Sequence, residues 1–156
     1  MNKFWILFCL LSFATTANAE LTARSNMVID SQKKLLWYRC TIGMQFEPIK
    51  KACVGAPQPM SMAQVKDVIE QANEQLGGSW RLPNKRELKS LVCKTCDSPK
   101  IDKELFPNFL NDRYWTGQKN WMSWKNYWSV NFYTGWTYGM SFPEQELYVI
   151  LVRDIR

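Results

Sequence analysis

Histidine is absent from all 156 residues. The usual general base and the commonest metal ligand are therefore both missing, which counts against acid–base catalysis and against most metal sites. No G-x-S-x-G motif marks a nucleophile. Acidic residues are missing from Arg113 to Pro143, and after residue 19 no apolar run is long enough to span a bilayer. There is also no repeat, low-complexity tract, long basic run or nucleic-acid motif. The net charge of +6 thus points to an acidic partner or to solubility, and nucleic acid is not an expected partner.

The first nineteen residues read as a secretory leader. Lys3 supplies a positive start, Phe4 to Phe13 an apolar core, and Ala17-Asn18-Ala19 a small-x-small site, with cleavage expected before Glu20. The core is too short for a membrane anchor. Leu7 and Phe8 stand before Cys9 where a lipid-attachment site would need small residues. Residues 20–156 are then one domain carrying a net charge of +5 once Lys3 is gone. It is expected to be soluble, not membrane-spanning, and periplasmic or secreted.

Four cysteines follow the leader, Cys40, Cys53, Cys93 and Cys96, an even number suited to an oxidising compartment. Three pairings are open. Nearness in the chain points to Cys40–Cys53 and Cys93–Cys96, and the first would close a loop worth about 3 kcal/mol. Zinc is disfavoured, since Cys93-Lys94-Thr95-Cys96 is the only such pair and no histidine joins it. A redox role would need a thiol at a helix start, whereas Cys93 falls at a helix end, where the dipole disfavours a thiolate. Metal and cofactor are both expected to be absent.

Met27-Val28-Ile29 and Leu35-Leu36-Trp37-Tyr38 read as strands joined by a polar turn. Arg39 to Ala56 reads as a loop. Ser61 with Gln64 makes a capping box before an apolar stripe at Val65, Val68, Ile69, Ala72 and Leu76. Gly77-Gly78 can stop that helix in left-handed geometry. Trp80 and Leu82 then alternate as a strand would, Pro83 delays the next helix, and Asn84 with Glu87 forms a second capping box. That helix runs from about Lys85 to Val92, with Lys85, Arg86 and Lys89 on a solvated face. Trp128, Val130 and Phe132 alternate before a Thr134-Gly135 turn. Trp136, Tyr138, Met140 and Phe142 alternate after it. Tyr148 to Val152 is apolar without alternation, like a strand covered on both faces. The fold class is α+β: two helices packed on a mainly antiparallel sheet, with the early hairpin available to the closing strand.

The segment Trp80-Arg81-Leu82-Pro83 with Glu87-Leu88 resembles the signature of the Lcl C-terminal domain family. Nearly the whole mature chain shares the likeness. It includes Val28 with Asp30, Leu36-Trp37, and the loop from Arg39-Cys40-Thr41-Ile42-Gly43 to Cys53. Ser61 to Gly78, Pro99-Lys100-Ile101-Asp102, Phe106-Pro107, Tyr114-Trp115-Thr116, Trp128-Ser129-Val130, Gly135 and Val152-Arg153 complete it. The resemblance implies a C-type-lectin-like architecture in an exported bacterial protein. It also implies kinship with surface adhesins whose terminal domain binds sulfated polysaccharides. No collagen-like repeat accompanies the domain in this sequence.

Ten aromatics lie between Tyr114 and Tyr138 in the acid-free stretch, beside Arg113, Lys119 and Lys125. Cations suit sulfate or carboxylate, and exposed rings suit apolar sugar faces. The expected ligand-binding residues are Arg113, Lys119, Trp121, Trp124, Lys125 and Tyr127, because the loop Gln118 to Tyr127 follows no strand period. Trp115, Trp128, Phe132, Trp136 and Tyr138 fit core positions instead. Arg81, between two buried residues, reads as the partner of an internal carboxylate or carbonyls. Glu144 and Glu146 read as an exposed turn, and the Glu-Pro-Asn and Trp-Asn-Asp motifs of calcium lectins are absent. Cys93 and Cys96 do not resemble the active-site pair of formylglycine-generating enzymes. The expectation is an exported, non-enzymatic binding module for an anionic polysaccharide or an envelope or secreted protein. A periplasmic inhibitor or immunity-type protein, or a pilus or envelope assembly accessory, is the alternative.

Overall fold

Two cores share one backbone run, and the rest of the fold is arranged around it. The computed structural model describes residues 21–155. The expected leader lies outside them. Nine strands and two helices are described: β1 (Leu21–Arg24), β2 (Met27–Asp30), β3 (Leu35–Tyr38), β4 (Met44–Glu47), β5 (Ala52–Gly55), α1 (Met62–Leu76), α2 (Lys85–Ser90), β6 (Arg113–Asn120), β7 (Ser123–Asn131), β8 (Trp136–Ser141) and β9 (Val152–Asp154). They form an α+β fold with antiparallel sheets in the orders β1-β2-β3-β9, β4-β5 and β6-β7-β8.

The β2–β3 hairpin forms where the sequence places it. Asp30 shapes its turn by accepting the Lys33 N–H at 2.8 Å and pairing with Lys33 Nζ at 2.9 Å. The closing strand joins β3 as expected, but regular pairing covers only Val152–Asp154. Residues 148–151 make isolated contacts instead, such as Tyr38 N–H to the Leu151 carbonyl and Ile42 N–H to that of Val149, both at 2.9 Å. Val149 and Leu151 enter one core with Trp80, Leu82 and Trp115, while Ile150 and Val152 enter the other with Leu88, Tyr114 and Phe132. A run dividing its side chains between two cores must be apolar at every position, which is why it shows no alternation.

Both helices start at their capping boxes. Ser61 N–H donates to Gln64 Oε1 at 2.8 Å, and Asn84 Oδ1 accepts the Glu87 N–H at 2.9 Å while Asn84 N–H donates to Glu87 Oε2 at 2.7 Å. The second helix is shorter than the pattern suggests. It ends at Ser90, and Leu91 and Val92 bond back to Leu88 and Lys89 in its last turn. Lys85 and Lys89 are not simply solvated. Lys85 Nζ lies 3.7 Å from the Trp128 ring centroid, and Lys89 Nζ donates to the Gly135 carbonyl, so both tie α2 to the β6–β8 sheet.

The loop 39–56 carries the β4–β5 hairpin, which its sequence does not announce. Cys40 bonds Cys53 and Cys93 bonds Cys96, the pairing expected from chain proximity. Arg39 locks the hairpin to the segment between α2 and β6 by donating to the carbonyls of Leu105 at 2.7 Å and Glu104 at 2.6 Å. Its guanidinium also sits 4.0 Å from the Phe46 centroid. Among the described residues no helix is long and apolar enough to cross a membrane.

Candidate ligand-binding surface

Asn120 and Ser123 face each other across β6 and β7, leaving Trp121-Met122 as the hairpin tip. Asn120 makes that tight turn possible. Its buried side chain accepts the Met122 N–H at 3.1 Å and donates to the Gly139 carbonyl at 2.9 Å. The second bond crosses to β8, where Gly139 and Met140 stand against Trp128 in a register shift. Gly139 leaves room there: a Cβ would meet Asn120 Nδ2 at 2.8 Å and the outer edge of the Trp128 ring at 2.9 Å, so those side chains would have to shift. Asn126, equally buried, donates to Ser123 Oγ at 3.0 Å and to Met140 Sδ at 3.5 Å. The tip is thus held from beneath by two amides.

Held this way, Trp121 is 85% exposed, Met122 74% and Trp124 70%. Cations stand beside the rings. Lys125 Nζ lies 5.4 Å from the Trp124 centroid, and Lys119 Nζ 5.7 Å from that of Tyr127, its cross-strand partner. Tyr127 is half-buried and meets Trp115 edge-on at 6.1 Å, so it serves packing as well as presentation. Five of the six expected residues therefore flank the hairpin turn, as the pairs Lys125–Trp124 and Lys119–Tyr127 with Trp121 at the tip. Arg113 does not join them: it opens β6, six residues from Lys119, roughly 20 Å away at strand rise.

The core expectation holds for Trp115 and Phe132, both fully buried, and fails for Trp136 and Tyr138. Trp128 is only half-buried, covered by Lys85. Trp136 is 68% exposed and Tyr138 37%, with Met140 and Phe142 exposed beyond them. The alternation of β8 is real, but its polar and glycine positions, Thr137, Gly139 and Ser141, are the ones turned inward. A period of two reveals two faces without saying which is covered, and β8 is an edge strand. Sequence reasoning missed Met122, Trp136, Tyr138 and Met140 as surface candidates. The absence of any charge from Trp136 to Phe142 is the one signal that could have prompted the question.

Arg81 has the internal role expected of it. It grips Glu87 with both terminal nitrogens, at 2.8 and 2.9 Å, and reaches Asp154 at 3.0 Å. Hydrogen bonding to Glu87 holds its guanidinium above the ordinary value, against the opposing effect of burial. A groove of about 570 Å³ opens near this ion pair, against Ile29, Leu36, Gly78 and Arg153. It lies away from the aromatic tip. Arg153, which lines it with Ser79 and Asp154, is already placed over Trp80 at 5.2 Å and against the Gly77 carbonyl at 3.5 Å.

The arrangement can stack flat apolar faces and neutralise negative groups. A family model described as the Lcl C-terminal domain matches residues 26–153, from the approach to β2 into β9. The chain belongs to the Lcl C-terminal domain family. No curated protein and no solved structure matches it. In this Lcl C-terminal domain the matched span contains both helices, both disulfides and the entire aromatic surface.

Proposed function

We propose that this domain is an exported bacterial binding module that recognises an anionic glycan at the β6–β7 hairpin tip and serves in adhesion. The observation carrying the reading is the exposure of Trp121 and Trp124 beside Lys119 and Lys125 in an acid-free segment. Exposed indoles cost solvation unless a ligand covers them, and the adjacent ammonium groups select for anions. The leader-like first nineteen residues and the two disulfides support export to the periplasm or beyond. Family membership supports the adhesin kinship and a C-type-lectin-like scaffold. The domain binds without catalysing, a reading supported by the lack of histidine.

The test is binding of the oxidised mature protein to immobilised heparin and to a neutral polysaccharide. Replacing Trp121, Trp124, Lys119 and Lys125 together by alanine is expected to abolish retention on heparin. Unchanged retention sinks the reading. One observation favours a protein partner as the second reading: Met122 and Met140 enrich the same surface in thioethers, which adapt to protein side chains and offer sugars little. A single stoichiometric protein captured from a periplasmic extract, with no polysaccharide bound, would establish that alternative.

A further inference from the structure

Strand register builds a second basic and aromatic cluster at the other end of the same sheet. Arg113 on β6 pairs with Asn131 on β7, and Asn131 pairs with Trp136 on β8. Directly opposed residues share a sheet face, so the three side chains form one row. Two strand spacings separate its ends, on the order of 10 Å between the Cα atoms of Arg113 and Trp136. Trp136 is mostly exposed, as are Tyr133 in the adjoining turn and, to a lesser degree, Tyr138.

The row is built to stay in place. Asn131 Oδ1 accepts the N–H groups of Tyr133 at 2.7 Å and Thr134 at 3.4 Å, so its Nδ2 amide is the group it can offer a ligand. Thr134 Oγ1 accepts the Trp136 N–H at 3.2 Å, and Lys89 holds the Gly135 carbonyl from below. No carboxylate within the segment competes for Arg113. Asp112, just before it, uses Oδ1 to accept the Arg113 N–H at 2.6 Å. Uncharged β8, with Tyr138 and Met140 exposed, runs from this row toward the hairpin tip.

We propose that Arg113, Asn131 and Trp136 form a second subsite for the same anionic polysaccharide, which the domain grips at two stations. This rests on the glycan reading of the hairpin tip. Lys125 and Asn131 are six residues apart on β7, so the stations stand roughly 20 Å apart. The tip sets Lys125 beside the exposed Trp124 ring, and the second station sets Arg113 and the exposed Trp136 in one row with Asn131 between them. Two stations of one chemistry suit a repeating polymer, which presents the same sugar face and the same anion again further along. Once one station is occupied, the other sees a high effective concentration of the same chain. Chains long enough to bridge the gap therefore bind more tightly than short ones, without any new type of contact.

Titration of the full oxidised protein with size-fractionated heparin oligosaccharides tests this. The wild-type Kd is expected to fall at least tenfold once fragments exceed roughly 20 Å, the strand distance between stations. W136A and R113Q are expected to lose that step while keeping the short-fragment Kd within twofold, and W136F to recover part of it. Trp136 is mostly exposed, so its truncation leaves the fold intact. If W121A with W124A abolishes short-fragment binding while W136A and R113Q retain the step, the second subsite is overturned and the tip reading stands. A wild-type protein that binds short fragments with no length step has the same consequence. Failure to bind fragments of any length overturns both.

Discussion

Arg81 and Glu87 meet fork to fork, Nη1 to Oε2 at 2.8 Å and Nη2 to Oε1 at 2.9 Å. The Glu87 carboxylate also accepts the Asn84 N–H, so one side chain caps α2 and anchors Arg81. Arg81 continues to Asp154, while its own backbone bridges Val152. The most specific motif of the sequence is therefore a clasp joining the start of α2 to the closing strand.

Arg81→Ala should lower stability by about 1–2 kcal/mol, discounting for the third of its side chain that is exposed and leaving Glu87 partly uncompensated. Arg81→Lys should recover only part of this, because an ammonium cannot form the two-pronged contact. Urea unfolding midpoints measure both. A midpoint unchanged by Arg81→Ala would refute the clasp.

Gly139→Ala should cost about 1–3 kcal/mol through overpacking, since the new methyl collides with the Asn120 amide and the Trp128 ring. Because Asn120 shapes the tip, the same variant should also weaken heparin retention. Thermal melts and column elution test the two effects separately.

Burial pushes the Tyr114 phenol well above its ordinary value, against the opposing hydrogen bond to Thr41, and burial also raises Tyr38. Above pH about 10 the unfolded chain releases these protons while the folded chain keeps them, so stability falls as pH rises. Below that pH the contribution is fully present. Denaturant midpoints should be flat below pH about 9.5 and decline above it, with a shallower decline in Tyr114→Phe. An equal slope in the variant would exclude Tyr114 as the cause.

The two disulfides should differ in worth and in accessibility. Chain entropy assigns about 3 kcal/mol to Cys40–Cys53 and about 2 kcal/mol to the shorter Cys93–Cys96 loop. Cys40 and Cys53 are buried, whereas Cys93 and Cys96 are partly exposed. Mild reductant followed by alkylation and mass spectrometry should therefore label Cys93 and Cys96 first. Labelling in the reverse order would contradict the burial.

Tyr127 should separate packing from presentation. Trp121→Ala and Trp124→Ala should each change stability by no more than about 0.5 kcal/mol, because both rings are exposed. Tyr127→Ala removes the edge contact to Trp115 and should cost more than either. If all three melt alike, Tyr127 is not a packing residue.

Much of the fold was legible because its signals are local. Ser61 with Gln64 and Asn84 with Glu87 place the helix starts through bonds spanning three residues. The β2–β3 hairpin joins neighbours in the chain, and the two disulfides are the pairing that chain proximity favoured among three. Five of the six site candidates flank one turn because they are neighbours in the chain. The β4–β5 hairpin was illegible because Arg39, reaching Glu104 and Leu105, and the Asn108 side chain, accepting the Cys53 N–H at 3.1 Å, help anchor it from far along the chain.

By itself the sequence determined where the helices begin, which cysteines lie close enough to pair, and that residues 113–143 hold cations and aromatics without acids. These are properties of adjacent residues and of composition. Only the tertiary structure decided which face of β8 is covered, that Lys85 and Lys89 turn to the sheet, and that Arg113 lines up with Trp136 rather than with Lys119. The reason is physical: alternation fixes two faces, but burial and register depend on which distant strand or helix packs against each.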